Sequence, residues 1–174
     1  MGVTNMDVAV AEWYAVKTKS RHERKVTDTL IQNNIEVYYP TTEVWSKRKD
    51  RRKKIQASLF PGYLFVKCVL TDDNWYAINN IRGVANMVGG FSRPTPIPDD
   101  QIESIHLVLE AGLPVNPHPY LNEGERVEVT AGPLKGARGI YVKPDQEKGK
   151  LIVSIDTLGR SIEVEVEPYF VEKD

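Results

Sequence analysis

Cysteine is nearly missing: Cys68 stands alone, inside an apolar run. One thiol cannot form an internal disulfide, so a reducing compartment is expected. No histidine or acid sits beside it in sequence, which makes it a small core residue rather than a nucleophile. Histidine is scarce as well. His22, His106 and His118 fall at a helix start, in a helix body and in a proline-rich stretch, without metal-ligand spacing. No apolar run approaches the ~20 residues that cross a bilayer. The segment Met1 to Glu12 carries acids and no basic n-region, so no secretory leader is expected and the cytoplasm is the default. Serine elbows, phosphate-cradling glycine loops and dinucleotide fingerprints are all lacking. Gly89-Gly90 is long enough only for a turn. Asp72-Asp73 and Asp99-Asp100 each open an expected helix, where the dipole favours acids. These absences exclude catalysis and a cofactor, and leave a binding protein.

What the chain does contain is uneven charge. Its 174 residues suit one medium domain or two small ones, and the net charge is −1. Residues 1–120 hold 15 Lys+Arg against 13 Asp+Glu, while residues 121–174 hold 8 against 11. The positive charge concentrates in Lys17–Lys25 and in Lys47-Arg48-Lys49-Asp50-Arg51-Arg52-Lys53-Lys54, seven basic residues against one acid. Clusters of this kind bind phosphate whatever the overall charge. A solvated hairpin tip is the plainer reading of the second cluster.

The periodicity predicts strand, helix, strand, strand, helix, strand, helix over the first 111 residues. Trp13 to Val16 opens as a strand. Ser20 and Glu23 have capping-box spacing, with Val26 and Leu30 as the apolar stripe and Asn33-Asn34 as the stop. Ile35 to Trp45 is extended and broken at Pro40. Leu59-Phe60-Pro61-Gly62-Tyr63 reads as a turn feeding the apolar strand Leu64-Phe65-Val66. A short helix from Asp72, capped by Thr71 or Asp72, is expected to carry Trp75 and Ile78 inward, and a short strand runs from Val84 to Val88. Pro98-Asp99-Asp100 starts a third helix with Ile102, Ile105 and Leu109 on its buried face, ended by Gly112 and Pro114. This order predicts an α+β unit over 12–111, an antiparallel sheet with helices packed on it. Phe60, next to the rigid proline, is either a lid on the core or a knob offered to a partner.

Residues 112–122 contain Pro114, Pro117 and Pro119 and no periodicity, so they form a linker able to extend roughly 30 Å. Beyond it the period becomes two. Val127/Val129, Ile140/Val142, Leu151/Val153/Ile155 and Ile162/Val164/Val166 alternate with polar neighbours. Gly132-Pro133, Asp145–Gly149 and Leu158-Gly159 supply turns. A small all-β barrel over 123–172 is predicted, with Tyr169 to Val171 as its closing strand. Five glycines and two prolines argue against a helical form of this unit. Phe60 is then expected to be available for binding at all times.

Trp13-Tyr14, Leu59-Phe60-Pro61-Gly62-Tyr63, Ile81-Arg82-Gly83-Val84 and Gly124 through Gly139 together resemble the NusG family of transcription elongation factors. Within the last stretch Val127, Val129, Gly132, Pro133, Gly136 and Gly139 resemble its KOW motif, carried by an SH3-like barrel. The resemblance spans about Glu12 to Glu172. The dense basic loop, the Leu-Phe-Pro-Gly-Tyr spelling and the Gly-Leu-Pro-Val linker resemble specialised paralogues of the RfaH and UpxY type, antiterminators of long operons that include surface-polysaccharide loci.

The resemblance implies a factor that binds RNA polymerase and reduces pausing and termination on a restricted set of operons. Leu59, Phe60, Pro61 and Tyr63 would meet the clamp coiled coil of the largest polymerase subunit. Lys19 and Arg82 match positions that hold the non-template DNA strand; Lys47, Arg48, Lys49, Arg51, Arg52, Lys53 and Lys54 are expected to make a more diffuse contact, to the phosphates of non-template or upstream duplex DNA or to the polymerase. Thr29 departs from the RfaH pattern, which has a histidine there, so no DNA sequence preference is carried over. The KOW unit would recruit a ribosomal protein or the termination factor Rho. A monomer without membrane contact is expected. The alternative is a KOW-containing RNA- or ribosome-associated protein, against which the acidic balance of residues 121–174 argues. Trp13 and Trp75 are expected in the core.

Overall fold

Strand β1 (Glu12–Thr18) has four consecutive buried residues, Trp13 to Val16. An unbroken buried run in a strand means that both faces of its sheet are covered. The structure is a computed structural model that describes residues 9–46, 53–90, 93–118, 120, 124–142 and 149–174. β1 lies at the centre of an antiparallel sheet ordered β2 (Glu36–Tyr38), β5 (Tyr63–Cys68), β1, β6 (Val84–Met87). β7 (Pro96–Ile97) pairs with the first half of β1, where Trp13 faces Ile97. β3 (Thr41–Trp45) and β4 (Lys54–Ser58) form a separate two-stranded hairpin.

On one face Tyr14, Val16, Leu64 and Val66 pack with Val26 and Leu30 of helix α1 (Glu23–Gln32) and Ile78 of α2 (Asp72–Asn79). α1 ends as its asparagines predict. Asn34 is left-handed (φ 57°), and the amides of Asn34 and Ile35 donate to Ile31 O and Leu30 O, a Schellman closure. Its start differs from the capping-box expectation. A turn over Lys19–His22, with Arg21 left-handed at φ 63°, delays the helix to Glu23, and His22 stands at the N-cap without a side-chain bond. Thr71 caps α2, its hydroxyl accepting from Asn74 N at 3.1 Å. Trp75 does not go inward. It is 36% exposed and meets Tyr76 edge-on at 5.1 Å, because α2 buries only Ile78. Cys68 is buried, and burial pushes its thiol up.

Tyr14 is buried in this face and donates its hydroxyl to the Glu12 carboxylate at 3.0 Å. Burial first, then that bond, pushes its phenol up to about 12 from 10.0. The folded state therefore holds this proton more tightly than the unfolded chain does. The associated stability is complete below pH ~10 and is lost as pH rises toward about 12. In urea titrations across that window, Tyr14→Phe should lose less stability than the parent. Parallel losses would place the alkaline sensitivity elsewhere.

The other sheet face carries Trp13, Ala15, Phe65 and Ile97 beneath α3 (Asp99–Glu110), which turns Ile102, Ile105 and Val108 inward. Leu109 is only half-buried; Val108 takes its place in the stripe. The same apolar cluster continues without a break into Val127, Val129, Leu134, Ala137, Leu151, Val153, Ile155, Ile162 and Val164. The C-terminal sheet therefore shares a core with the N-terminal one.

That C-terminal sheet departs from the expected barrel. Its order is β13 (Val171–Lys173), β9 (Arg126–Val129), β10 (Arg138–Val142), β11 (Gly149–Ile155), β12 (Arg160–Val166), β8 (Val115–His118). The path is open: β13 and β8 are its two ends, and they do not pair among the described residues. Two features prevent closure. The proline-rich stretch read as a linker supplies β8, which occupies the outer edge of β12 from Val115↔Val164 to His118↔Ser161. Tyr169, expected in a closing strand, lies instead in a 3₁₀ turn (Pro168–Phe170) and is 75% exposed. Only Val171–Lys173 remain to pair with β9. The turn predicted over Asp145–Gly149 lies largely outside the described residues.

Candidate functional site

Leu59 to Tyr63 forms the turn its Pro-Gly pair predicts. Tyr63 N donates to Phe60 O at 3.0 Å, with Pro61 at the first corner and Gly62 at φ 83° at the second. That is the type II geometry, in which proline presets φ and glycine accepts the positive one. Leu59 N is tied to Pro40 O at 3.0 Å, so the turn is anchored to the foot of the β3–β4 hairpin. Pro61 is exposed, while Leu59 and Tyr63 are half-buried.

Phe60 is not at hand. It is 1% exposed, meets Phe65 edge-on at 5.8 Å between centroids, and belongs to the apolar cluster shared by both sheets. The expectation of permanent availability is overturned. Its premise was that only a helical C-terminal unit would cover this surface, whereas a stranded one packs there too. Arg160, at the start of β12, sets its guanidinium 5.1 Å from the centre of the Tyr63 ring.

Lys19 and Arg82 are both exposed and lie on neighbouring backbone. Lys19 N donates to Gly83 O at 2.8 Å, and one residue earlier Thr18 N donates to Gly62 O at 2.9 Å. The end of β1 therefore holds the Phe60 turn on one side and Arg82-Gly83 on the other. Gly83 is required here. Its φ is 106°, and a Cβ would stand 2.9 Å from His22 Cβ and Cδ2. Thr29 is half-buried and returns its hydroxyl to Lys25 O at 2.9 Å.

Of the basic loop, Lys47, Arg48, Lys49, Arg51 and Arg52 lie outside the described residues. Lys53 and Lys54 are exposed, Lys54 pairing with Glu43 at 3.1 Å. Among the described residues no group of three His, Cys, Asp or Glu could hold a metal ion. No described helix is long and apolar enough to cross a membrane.

The KOW-like residues build a loop pressed against α3. Val127 and Val129 are buried; Gly136 N donates to Val129 O at 2.7 Å. Gly132 packs under Phe170, next to Pro133, and the Cβ position of Gly136 is 3.5 Å from Leu107 Cδ1 of α3. Arg138 N donates to Ser104 Oγ at 2.9 Å, while Ser104 donates to Asp100 O at 2.7 Å. Gln101 binds Asp156 twice, its Nε2 donating to Oδ2 at 2.9 Å and its Oε1 accepting from the backbone N at 3.2 Å. Tyr120 also donates to Asp156, at 3.1 Å. Gln101, Ser104 and Asp156 were missed in the sequence. A serine inside the apolar stripe Ile102–Ile105–Val108, buried to 1%, was the available signal.

The model of a family described as transcription termination factor nusG matches residues 11–106. A relative named transcription termination/antitermination protein NusG, from Escherichia coli strain K12, is 33% identical over 172 residues, covering 92% of this chain and 95% of the relative. The protein of that name from Vibrio vulnificus is 34% identical, covering 92% and 94%. A solved structure described as domain interaction in Thermotoga maritima NusG is similar in fold, with a TM-score of 0.54 at 24% identity over 94% of this chain and 97% of the other. NusG proteins are non-catalytic. With a family model over more than half its length and relatives matched nearly end to end, the chain belongs to the NusG family of transcription termination and antitermination factors.

Proposed function

We propose that the chain binds RNA polymerase at the clamp coiled coil through Leu59, Phe60, Pro61 and Tyr63, and a displaced DNA strand through Lys19 and Arg82. The observation that supports this is their contiguity: the Phe60 turn and the Lys19–Arg82 pair are bonded to adjacent residues of one strand end. A ligand that engages both would bridge protein and polyanion there. By holding the closed form of the polymerase more tightly than the paused form, the factor would disfavour pausing and termination.

Binding through Phe60 needs the C-terminal unit to move away. The apparent affinity then falls by the fraction of molecules that are open. Once released, that unit is free for a second partner, a ribosomal protein or the factor Rho. The basic loop and the Leu-Phe-Pro-Gly-Tyr spelling support a specialised paralogue of the RfaH or UpxY type, acting in the cytoplasm on few operons. Chromosomal occupancy confined to a few loci is the outcome expected of such a factor.

The DNA contact is tested by salt. Each phosphate contact to a single strand contributes about 0.7 to the slope of log K against log salt. Binding of Arg82→Ala to a paused complex should show a slope flatter by about that amount. An unchanged slope removes Arg82 from the DNA surface.

A further inference from the structure

We propose that the cleft between strand β2 and helix α3 receives an arginine side chain of a partner protein. The cleft has a volume of about 590 Å³ and a lining of aromatic rings and acids. Trp13, Lys67 and Glu36 stand side by side across β1, β5 and β2, in the register Trp13↔Lys67↔Glu36. Tyr38 follows two residues along β2, on the same face. Helix α3 contributes Asp99, Glu103 and His106. The whole lining belongs to the N-terminal unit, so the cleft stays open while the C-terminal sheet covers Phe60.

Three rings follow one another here, each turned steeply against the next. Trp13 meets Tyr38 at 6.4 Å and 65°, and Tyr38 meets His106 at 5.7 Å and 73°. Ring faces arranged in this way attract cations. The chain already seats one: Lys67 holds its ammonium 5.6 Å from the centre of the Trp13 ring. The charge around the rings is unbalanced. Among the described residues Glu36, Asp99 and Glu103 have no ion-pair partner, and Lys67 is the one lysine or arginine in the lining. His106 is engaged by Glu110 at 3.1 Å, and Asp100 acts on Arg138 across the seam. The Tyr38 hydroxyl is buried and makes no hydrogen bond among the described residues. Burial, and then Glu110 and Glu103, push its phenol well up, so the ring lies in a negative field.

An arginine side chain answers both features. Its planar guanidinium stacks on a ring while its N–H groups pair with carboxylates from two elements, which a compact ammonium does less well. The acids are too dispersed to hold a metal ion among the described residues, and they repel phosphate. Neither Lys19, Arg82 nor the Phe60 turn takes part, so this site can fail while the polymerase reading stands, and the reverse.

The test uses the full chain labelled with nitrogen-15, and blocked tripeptides Gly-X-Gly in which X is arginine, lysine or citrulline. Spermidine serves as a free cation. The amide signals of Val37 and Glu103 should shift saturably with the arginine peptide, at millimolar concentrations that rise with salt. Citrulline keeps the shape of arginine without its charge and should leave them in place. Glu36→Gln together with Glu103→Gln should weaken arginine binding about 3- to 10-fold, the range of two exposed ion pairs. Tyr38→Leu should weaken it about 2- to 5-fold, while Tyr38→Phe, which keeps the ring, retains it. Arg82→Ala should bind the peptide as the parent does. Four results would overturn the proposal: no saturable shift, equal shifts with citrulline, tighter binding of lysine or spermidine than of arginine, or unchanged affinity in the folded Glu36→Gln, Glu103→Gln protein.

Discussion

Phe60→Ala is expected to lower the unfolding free energy of the full chain by about 3–5 kcal/mol, the range for emptying a buried phenylalanine site. The side chain is 1% exposed, packs edge-on against Phe65, and sits in a cluster that joins both sheets. Such sites collapse poorly because their walls belong to different elements. Chemical denaturation with a single probe in each unit should show both transitions moving together. A loss below about 1 kcal/mol would mean that Phe60 faces solvent in the working protein. The same substitution abolishes the proposed polymerase contact, so binding assays on it need a stability control. Pro61, exposed in the same turn, offers the cleaner probe of the surface.

Gly139→Ala should destabilise the C-terminal sheet by about 3 kcal/mol, at the upper end for overpacking. A Cβ at Gly139 would lie 2.3 Å from the carbonyl oxygen of Ile152 and 3.2 Å from Leu151 Cδ1. A backbone oxygen in mid-ladder cannot swing aside, so β10 and β11 must separate around Ile140↔Ile152. The adjacent Arg138 amide would then leave Ser104, loosening the seam against α3. Amide exchange at Ile152 to Ile155 should accelerate well before that of β1. Parent-like exchange and thermal stability would show that the strands can re-register without loss.

The N-terminal unit was legible because its signals are local. A proline-glycine pair sets the Phe60 turn, two asparagines stop α1, and Thr71 caps α2. Trp75 misled because hydrophobicity alone assigned it inward, whereas a two-turn helix has room for one anchor, Ile78. The strands of the C-terminal unit were equally readable from their period of two. Its closure was not, since whether a sheet meets itself depends on which strand reaches a free edge first, and Val115–His118 carries two poor β-formers, Asn116 and Pro117, in four positions. That the C-terminal sheet covers Phe60 was hidden for a related reason. Alternating apolar faces announce that they will be covered, but not by what. Gln101 and Asp156, which bond across the seam, look like ordinary surface residues until both units are in place.

The pairing of β8 with β12 changes the leash between the two units. Four residues, 111–114, separate α3 from β8, and fully extended they span about 14 Å, half the reach of an unpaired proline-rich connector. While β8 stays zipped, a detached C-terminal unit remains at millimolar effective concentration over its own docking face and returns quickly. Travelling farther requires β8 to peel away. Pro117, opposite Ile162, has no N–H to give, so this strand is weakly held where it must part. Peeling also bares the rim of β12, whose free backbone groups could then accept a strand from another chain.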